Sequence, residues 1–411
     1  MISVMEEEMN INQYIDGMKD ELIKTVQTCI QFKSVKDLDS ASSDAPFGQG
    51  IKECLEWTLD LGEKMGFKVK NVDGYAGHIE LGTGELVGIL GHLDVVPEGD
   101  GWTVPPYEGK IMDGKIYGRG AVDDKGPTLA ALFAMKAIKD LEIPLQKKVR
   151  LILGTDEESG WADMDYYKEK EEIPVIGFAP DAEFPLIHAE KGILHLEISK
   201  KFSTPLRYIQ EIRGGQRANV VPDTCTVILK DLPLKTIQEI LQEMVLPEGV
   251  SAKVKEETGE SIILTFKGLS AHGSLPQKGK NALIFALKFL KELDLSQEEK
   301  KLIQWLYEGS KGYYGEGFGI ALADEPSGKL SLNLGIMNCS AEDISFVLDI
   351  RYPVTFGKED VLIPMTKEAE KRGLNLLVLS HQEAHHVPKE SPLVQGLLKA
   401  YSEVTGKEGY P

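Results

Sequence analysis

Hydrophobic residues along the first 190 positions switch repeatedly between helical and strand spacing. Apolar side chains recur every three or four residues over 11–32 and 50–65, which predicts two amphipathic helices. A third helix is predicted for GPTLAALFAMKAIKD, where Pro127 stands near the helix start. Strands are predicted at 67–71, 75–81, 86–90 and 115–118, and in the segments KVRLILG and VIGFA. Alternation of this kind is typical of an α/β layered domain.

The pattern changes after about residue 190. The segments GILHLEISK and NVVPDTCTVILK alternate like half-exposed strands, and helices are predicted near 235–245 and 280–293. Antiparallel strands mixed with helices in this way favour an α+β domain that has one sheet face covered.

The α/β pattern returns after about residue 355, with a helix near 358–373, the strand LNLLVLS and a helix from about 392. A domain that is interrupted and then resumed explains this order. We therefore predict a mixed-sheet α/β/α domain built from 1–190 and 356–411, with an α+β domain inserted at 191–355.

Composition narrows the possible partners. A chain of 411 residues exceeds what one hydrophobic core usually covers, which agrees with two domains. The net charge of −19 argues against nucleic acid or an anionic membrane as partner. The acidic start MISVMEEEMN is unlike a signal peptide, and no apolar run reaches membrane-spanning length.

The chain has four cysteines, which are far apart in sequence: Cys29, Cys54, Cys225 and Cys339. We predict that they are reduced and that the protein is cytoplasmic.

Polar side chains follow four of the predicted strands. They are, in chain order, His92 and Asp94, Asp123 and Asp124, Glu157 and Glu158, and Asp181. Each pair alone is more often solvated surface than a site. Together, at the carboxyl edge of a sheet, the carboxylates would repel one another unless a cation lay among them. Imidazole and carboxylate donors suit Zn²⁺ or Mn²⁺, and a carboxylate shared by two such ions is a common arrangement.

Four of these blocks resemble the signatures of a known family. GHLDVVPEGDGW, YGRGAVDDKGP, GTDEESGW and PDAEFP are similar to the motifs of M20 metallopeptidases, and most of all to those of the PepV-type bacterial dipeptidases. The resemblance implies that 1–190 and 356–411 form a catalytic domain and that 191–355 forms a lid. It also implies two divalent metal ions, Zn²⁺ or Mn²⁺, in a hydrolase that acts as a monomer on dipeptides.

The same resemblance implies a set of metal ligands. His92 and Asp181 would bind one metal, Glu158 would bind the other, and Asp123 would bridge both. In relatives the bridging aspartate precedes a cis peptide bond, so a cis bond between Asp123 and Asp124 is expected.

Roles in catalysis and substrate binding are implied as well. Asp94 would orient His92 through its second ring nitrogen, and Glu157 would be the general base. In the inserted domain, the segments GGQRANVVPD, SAHGS and LDIRYP match substrate-binding positions of the family. These positions are Asn219, His272, which would stabilise the oxyanion, and Arg351, which would hold the terminal carboxylate of the substrate.

One departure from the family pattern concerns the C-terminus. Relatives continue past the position of Pro411 with a glycine-rich loop and a segment that carries the last metal-ligand histidine. We therefore expect a chain ending at Pro411 to bind at most one tight metal and to cleave dipeptides poorly. A chain extended by that segment should bind two metals and be active.

Three functions are consistent with this sequence. The first is a metal-dependent dipeptidase, which the long inserted domain at 191–355 favours. The second is a deacylase of N-acyl amino acids from the same family. The third is an inactive binding protein of the same fold, which metal content and turnover of a simple dipeptide would distinguish from both enzymes.

Overall fold

The computed structural model describes residues 11–256 and 261–411, and the chain divides into two compact units, Met1–Phe184 and Pro185–Pro411. The acidic start MISVMEEEMN lies outside the described residues. No helix among the described residues is long and apolar enough to cross a membrane.

The first unit is built on a five-stranded mixed sheet. Residues 11–17 are helical. The elements that follow are α1 (Lys19–Ile30), α2 (Gln49–Lys64), β1 (Lys68–Val72), β2 (Ala76–Leu81), β3 (Leu86–His92), β4 (Lys110–Met112), β5 (Lys115–Tyr117), α3 (Lys125–Asp140), β6 (Lys148–Gly154), α4 (Ala162–Lys170) and β7 (Ile176–Phe178). The strand order is β1-β2-β6-β3-β7, in which β3 runs parallel to β6 and to β7.

Helices cover both faces of this sheet. Leu151 and Leu153 of β6 pack in the same core cluster as Leu129 of α3 and residues of α1 and α2. Ile152, which points to the other face, packs with Tyr167 of α4. Alternation along one buried strand thus produces the α/β/α layering that the sequence predicted.

The strand before Asp123 differs from the sequence prediction. β5 pairs only with β4, in a separate two-stranded hairpin, and is not part of the five-stranded sheet. Asp123 therefore reaches the carboxyl edge of the sheet on the loop that enters α3, not at the end of a sheet strand. A three-residue strand leaves too short a hydrophobic run to reveal from sequence which sheet it joins.

The second unit is built on an eight-stranded antiparallel sheet. Its elements are β8 (Ala189–Glu190), β9 (Gly192–Lys201), β10 (Ile209–Gly214), β11 (Thr224–Leu229), α5 (Leu234–Glu243), β12 (Ser251–Glu256), β13 (Ile262–Lys267), α6 (Ala282–Leu290), α7 (Gln297–Ser310), β14 (Ala323–Asp324), β15 (Gly328–Lys329), β16 (Ser331–Ser340), β17 (Asp343–Tyr352), α8 (Glu359–Glu370), β18 (Asn375–Gln382), β19 (His385–His386) and α9 (Pro392–Thr405). The strand order is β12-β13-β11-β10-β16-β17-β9-β18.

The two faces of this sheet differ in chemistry. Leu194, Leu196 and Ile198 of β9 join the large apolar core that includes residues of α6, α7 and α8. The residues between them, such as His195 and Glu197, point to the opposite face, as the two-residue period of a strand requires. That opposite face carries the polar groups described below.

The segment that was predicted to resume the first domain contributes to this sheet. β18, which contains the predicted strand LNLLVLS, pairs with β9 along its length, and α8 packs against β18. The assignment of 1–190 and 356–411 to a catalytic domain and of 191–355 to a lid stays a prediction.

A buried ionic network in the first unit has a consequence for acid stability. Arg150 donates to Glu80 at 2.8 Å and to the Tyr167 hydroxyl at 3.1 Å, and that hydroxyl lies 2.9 Å from Nδ1 of His78. Burial, and next the charge of Arg150, lower the pKa of His78 from 6.5 to about 4. Between these two values the unfolded chain binds a proton that the folded chain does not.

We expect His78 to make the free energy of unfolding fall as the pH is lowered from 6.5 towards 4, by about 1.4 kcal/mol per pH unit. Glutamine at this position does not titrate, so the gap in stability between wild type and His78→Gln should narrow over this range. Urea unfolding at several pH values measures the gap. Substitution of the exposed His385 by glutamine is the control, and a gap for His78→Gln that stays constant would contradict the prediction.

Candidate metal centre

The end of β3 places His92 at the carboxyl edge of the first sheet. Gly91 allows α3 to approach here, since a Cβ at this position would lie 2.0 Å from the Thr128 hydroxyl oxygen. Asp124, at the start of α3, accepts hydrogen bonds from the His92 backbone N–H at 3.1 Å and from Thr128 at 2.8 Å. The backbone of His92 is therefore fixed by the helix beside it.

Both ring nitrogens of His92 have oxygen neighbours. Nε2 lies 3.1 Å from Asp123 Oδ1, 3.4 Å from Asp181 Oδ2 and 4.0 Å from Glu157 Oε2. Nδ1 lies 3.0 Å from the backbone carbonyl oxygen of Asp94 and 3.4 Å from its Oδ1. With Nδ1 directed at these two oxygens of Asp94, the ring turns Nε2 towards the three acidic side chains.

Asp94 has a second contact that the sequence did not predict. Its carboxylate accepts the backbone N–H of Glu157 at 3.2 Å and that of Glu158 at 3.0 Å. One buried aspartate thus connects the end of β3 to the loop after β6. The position of both glutamates relative to His92 depends on this connection.

The charges in this cluster act strongly on one another. Burial opposes a charge on His92, but hydrogen bonds to Asp123, Asp181 and Asp94 outweigh it and raise the pKa of the imidazole. The hydrogen bond that Asp123 accepts from His92 lowers the pKa of Asp123. Burial raises the pKa of Glu157 to about 7, and the neighbouring Glu158, Asp94 and Asp181 add to this rise while His92 opposes it.

Glu158 and Asp124 border the cluster. Burial, followed by the negative charge of Asp123, raises the pKa of Glu158. Burial also raises the pKa of Asp124 to about 7, and its Oδ1 is buried without a hydrogen-bond partner. Burial together with neighbouring negative charge therefore makes these two carboxyl groups easier to protonate than isolated ones.

The donor set fits a divalent cation. One ligand atom each from His92, Asp123 and Asp181 lies within 4.8 Å of the others. Donors that share a cation through bonds near 2 Å are themselves separated by about 3 to 4 Å, and His92 Nε2 lies 3.1 Å from Asp123 Oδ1 and 3.4 Å from Asp181 Oδ2. A neutral imidazole nitrogen and carboxylate oxygens are also the chemistry that Zn²⁺ and Mn²⁺ accept.

The loop that carries Asp123 is anchored by the residues that follow it. The peptide bond between Asp123 and Asp124 is cis, as expected from the resemblance. The next residue, Lys125, is completely buried and donates to the backbone oxygens of Cys29 at 3.1 Å and Phe32 at 2.7 Å. A cation at the C-terminal end of α1 satisfies carbonyl groups there and anchors the loop.

In the second unit, Asn219 and His272 lie on two paired loops. The Asn219 carbonyl oxygen accepts the backbone N–H of Gly273 at 2.7 Å, and Val220 and His272 form a β-bridge. His272 Nδ1 accepts the Ser274 backbone N–H at 3.3 Å and lies 2.6 Å from Ser274 Oγ, so both of these contacts are made by the same ring nitrogen.

Asn333 holds the first of these loops. Its side-chain nitrogen donates to the backbone oxygens of Ala218 at 2.9 Å and Val220 at 3.0 Å, on both sides of Asn219. Arg351, the third predicted substrate-binding residue, lies on β17 and donates to Asp349 through Nε at 2.9 Å and Nη2 at 3.3 Å. Asn333 and Asp349 were not predicted from the sequence, although Asp349 stands two positions before Arg351 on β17 and so shares its sheet face.

Comparison with known proteins identifies the family. Residues 88–411 match the sequence model of peptidase family M20/M25/M40. The chain belongs to this family. Among curated M20 relatives, YtjP of Bacillus subtilis strain 168, named as a candidate dipeptidase, is 38% identical over 407 residues, which is 97% of this chain and 87% of YtjP. A candidate dipeptidase of Staphylococcus epidermidis is 35% identical over 94% of this chain and 84% of its own length.

Solved structures show the same M20 fold. The dipeptidase Dug1p of Saccharomyces cerevisiae superposes with a TM-score of 0.54 at 16% identity, over 98% of this chain and 85% of that one. Human carnosine dipeptidase 1 gives a TM-score of 0.53 at 17% identity, over 97% of this chain and 86% of that one. The predicted family, the α/β fold class and the assignment to hydrolases of the metallopeptidase type are thereby confirmed.

Proposed function

We propose that this M20 chain is a metal-dependent dipeptidase in which Glu157 is the general base. The convergence of His92, Asp123 and Asp181 within 4.8 Å of one another carries the proposal, because this donor set suits Zn²⁺ or Mn²⁺. A divalent cation held there supplies Lewis acidity, which makes water a better nucleophile and a peptide carbonyl a better electrophile. Glu158, together with Asp123, would hold a second cation.

The protein side chains then have separate tasks. Glu157, whose Oε2 lies 4.0 Å from His92 Nε2, accepts a proton from the attacking water and passes it to the leaving amine. Asp94 keeps His92 and the Glu157 loop in register through its carbonyl and carboxylate oxygens. His272 Nε2 donates to the developing oxyanion, while Asn219 and Arg351 bind the substrate.

Names of relatives favour a dipeptidase over a deacylase of N-acyl amino acids, since the curated proteins above are named as candidate dipeptidases.

A cytoplasmic location is supported by the four cysteines, which are free and buried, with Cys29 Sγ 3.8 Å from Cys54 Sγ. Two thiols so close together remain reduced where the compartment is reducing.

The test combines turnover with metal analysis. We expect hydrolysis of simple dipeptides, even where it is slow, to require Zn²⁺ or Mn²⁺, to stop when a chelator is added, and to resume when metal returns. N-acyl amino acids should be cleaved much more slowly. Metal binding by calorimetry accompanies the assay. Faster cleavage of N-acyl amino acids would favour the deacylase, and absence of metal binding would contradict the metal centre itself.

A further inference from the structure

A row of polar side chains crosses the second sheet, on the face opposite its apolar core. Asn333 on β16 is the register partner of Asp349 on β17, which is in turn the partner of His195 on β9. Ser380 on β18 continues the row as the partner of His195. Since register partners in an antiparallel sheet point to the same face, these four side chains are neighbours across four strands.

Asp349 is the charged member of this row and is 0% exposed. A buried carboxylate is costly unless it is paired and hydrogen-bonded. Its main partner is Arg351, and His195 Nε2 lies 3.4 Å from Oδ1, without hydrogen-bond geometry. Although burial alone would raise it, the pKa of Asp349 is lowered because His195 and Arg351 stabilise the carboxylate.

The pairing determines which edge of the Arg351 guanidinium is left for a ligand. Asp349 occupies Nε and one side of Nη2, so the Nη1 edge carries the donors that remain. The guanidinium is planar, and a two-point contact with a buried carboxylate fixes its plane. Arg351 is thus prepared to present Nη1 in one direction.

Asp349 also adjoins the loop that carries His272. A Cβ on Gly273 would lie 2.5 Å from Asp349 Oδ2, so the carboxylate fills the space that a larger residue would need. The same glycine donates to the Asn219 carbonyl oxygen. One carboxylate therefore contacts both the arginine and the loop between Asn219 and His272.

We infer that Asp349 is a positioning residue, which aligns Arg351 for the carboxylate of a dipeptide and seats the His272 loop beside it. The inference rests on the proposed dipeptidase function. His195 supports Asp349 from the far side and is held there by Ser380, whose Oγ lies 2.9 Å from His195 Nδ1.

The test compares a dipeptide with its C-terminal amide, which has no carboxylate for Arg351. In Asp349→Asn we expect the preference for the free acid in kcat/KM to fall by about 10- to 100-fold, mainly through KM. The amide should be affected much less. In an Arg351→Met background the Asp349→Asn change should have no further effect on this preference, because the two residues act as a unit.

Controls separate positioning from folding. Asp343 lies on the same strand as Asp349 and accepts a hydrogen bond from Ser340 Oγ at 2.6 Å. The control substitution Asp343→Asn should leave the preference for the free acid unchanged. If Asp349→Asn does not fold, His195→Gln tests the same support from the other side and should weaken the preference about threefold. An equal loss on both substrates in Asp349→Asn, or an unchanged preference, would overturn the inference.

Failure of the proposed function has a different signature. If the wild type cleaves neither compound, calorimetric binding of the dipeptide and of its amide replaces turnover. Tighter binding of the free acid that depends on Asp349 would sustain the inference while refuting the dipeptidase. Equal binding, or no binding of either compound, would overturn the inference as well.

Discussion

Replacing Glu157 by alanine is expected to lower dipeptide turnover by about 10² to 10⁴-fold while leaving the metal content nearly intact. The reason is geometric. Glu157 Oε2 lies 4.0 Å from His92 Nε2, at the edge of the donor set, and its side chain is 36% exposed where a water molecule can reach it. A carboxylate in that position can move a proton without being required to hold a cation.

The neighbouring glutamate is the matched control. Glu158 follows Glu157 on the same loop, and both backbone N–H groups donate to Asp94, so either substitution disturbs the loop similarly. Glu158→Ala should lower metal occupancy as well as turnover. Metal analysis by mass spectrometry beside a dipeptide assay measures both, and equal metal loss in the two variants would refute the division of roles.

His92→Ala is expected to abolish tight metal binding and, with it, turnover. The imidazole is the donor around which Asp123 and Asp181 gather, at 3.1 and 3.4 Å from Nε2. Loss of a residue that merely supports a ligand costs about 10- to 100-fold in affinity, so loss of the ligand itself should cost at least about 100-fold. Calorimetric titration with Zn²⁺ or Mn²⁺ provides the measurement.

A histidine outside this cluster serves as the control. In the second unit, Nδ1 of His188 lies 2.6 Å from the Val387 carbonyl oxygen. The substitution His188→Ala therefore removes an imidazole without changing any of the proposed ligands. Its affinity for the metal should match that of the wild type. Undiminished affinity in His92→Ala would mean that the cation is bound elsewhere.

The first unit shows what the sequence could predict. A continuous apolar run that ends in His92 predicts a buried strand with a functional group at its end, and β3 has this form. The loop after β6 was found in the same way, because Glu157 and Glu158 follow a buried strand. Local patterns suffice when the functional residue lies next to the element that positions it.

The second unit shows where sequence patterns are insufficient. Asp349 and His195 are 154 positions apart in sequence but are adjacent in the sheet, and only strand register brings them together. Register depends on pairings between distant segments, which no local period reveals. For the same reason, β5 could not be excluded from the five-stranded sheet before its pairing with β4 was known.

The two hydrogen bonds from Asn333 to the backbone on either side of Asn219 have a practical consequence. Both bonds are made to the main chain, so a substitution at position 219 removes neither of them. That position can therefore be randomised while the backbone around it is retained. A library of variants at residue 219, built with Asn333 kept constant, would test whether this position sets the peptide preference of the proposed dipeptidase.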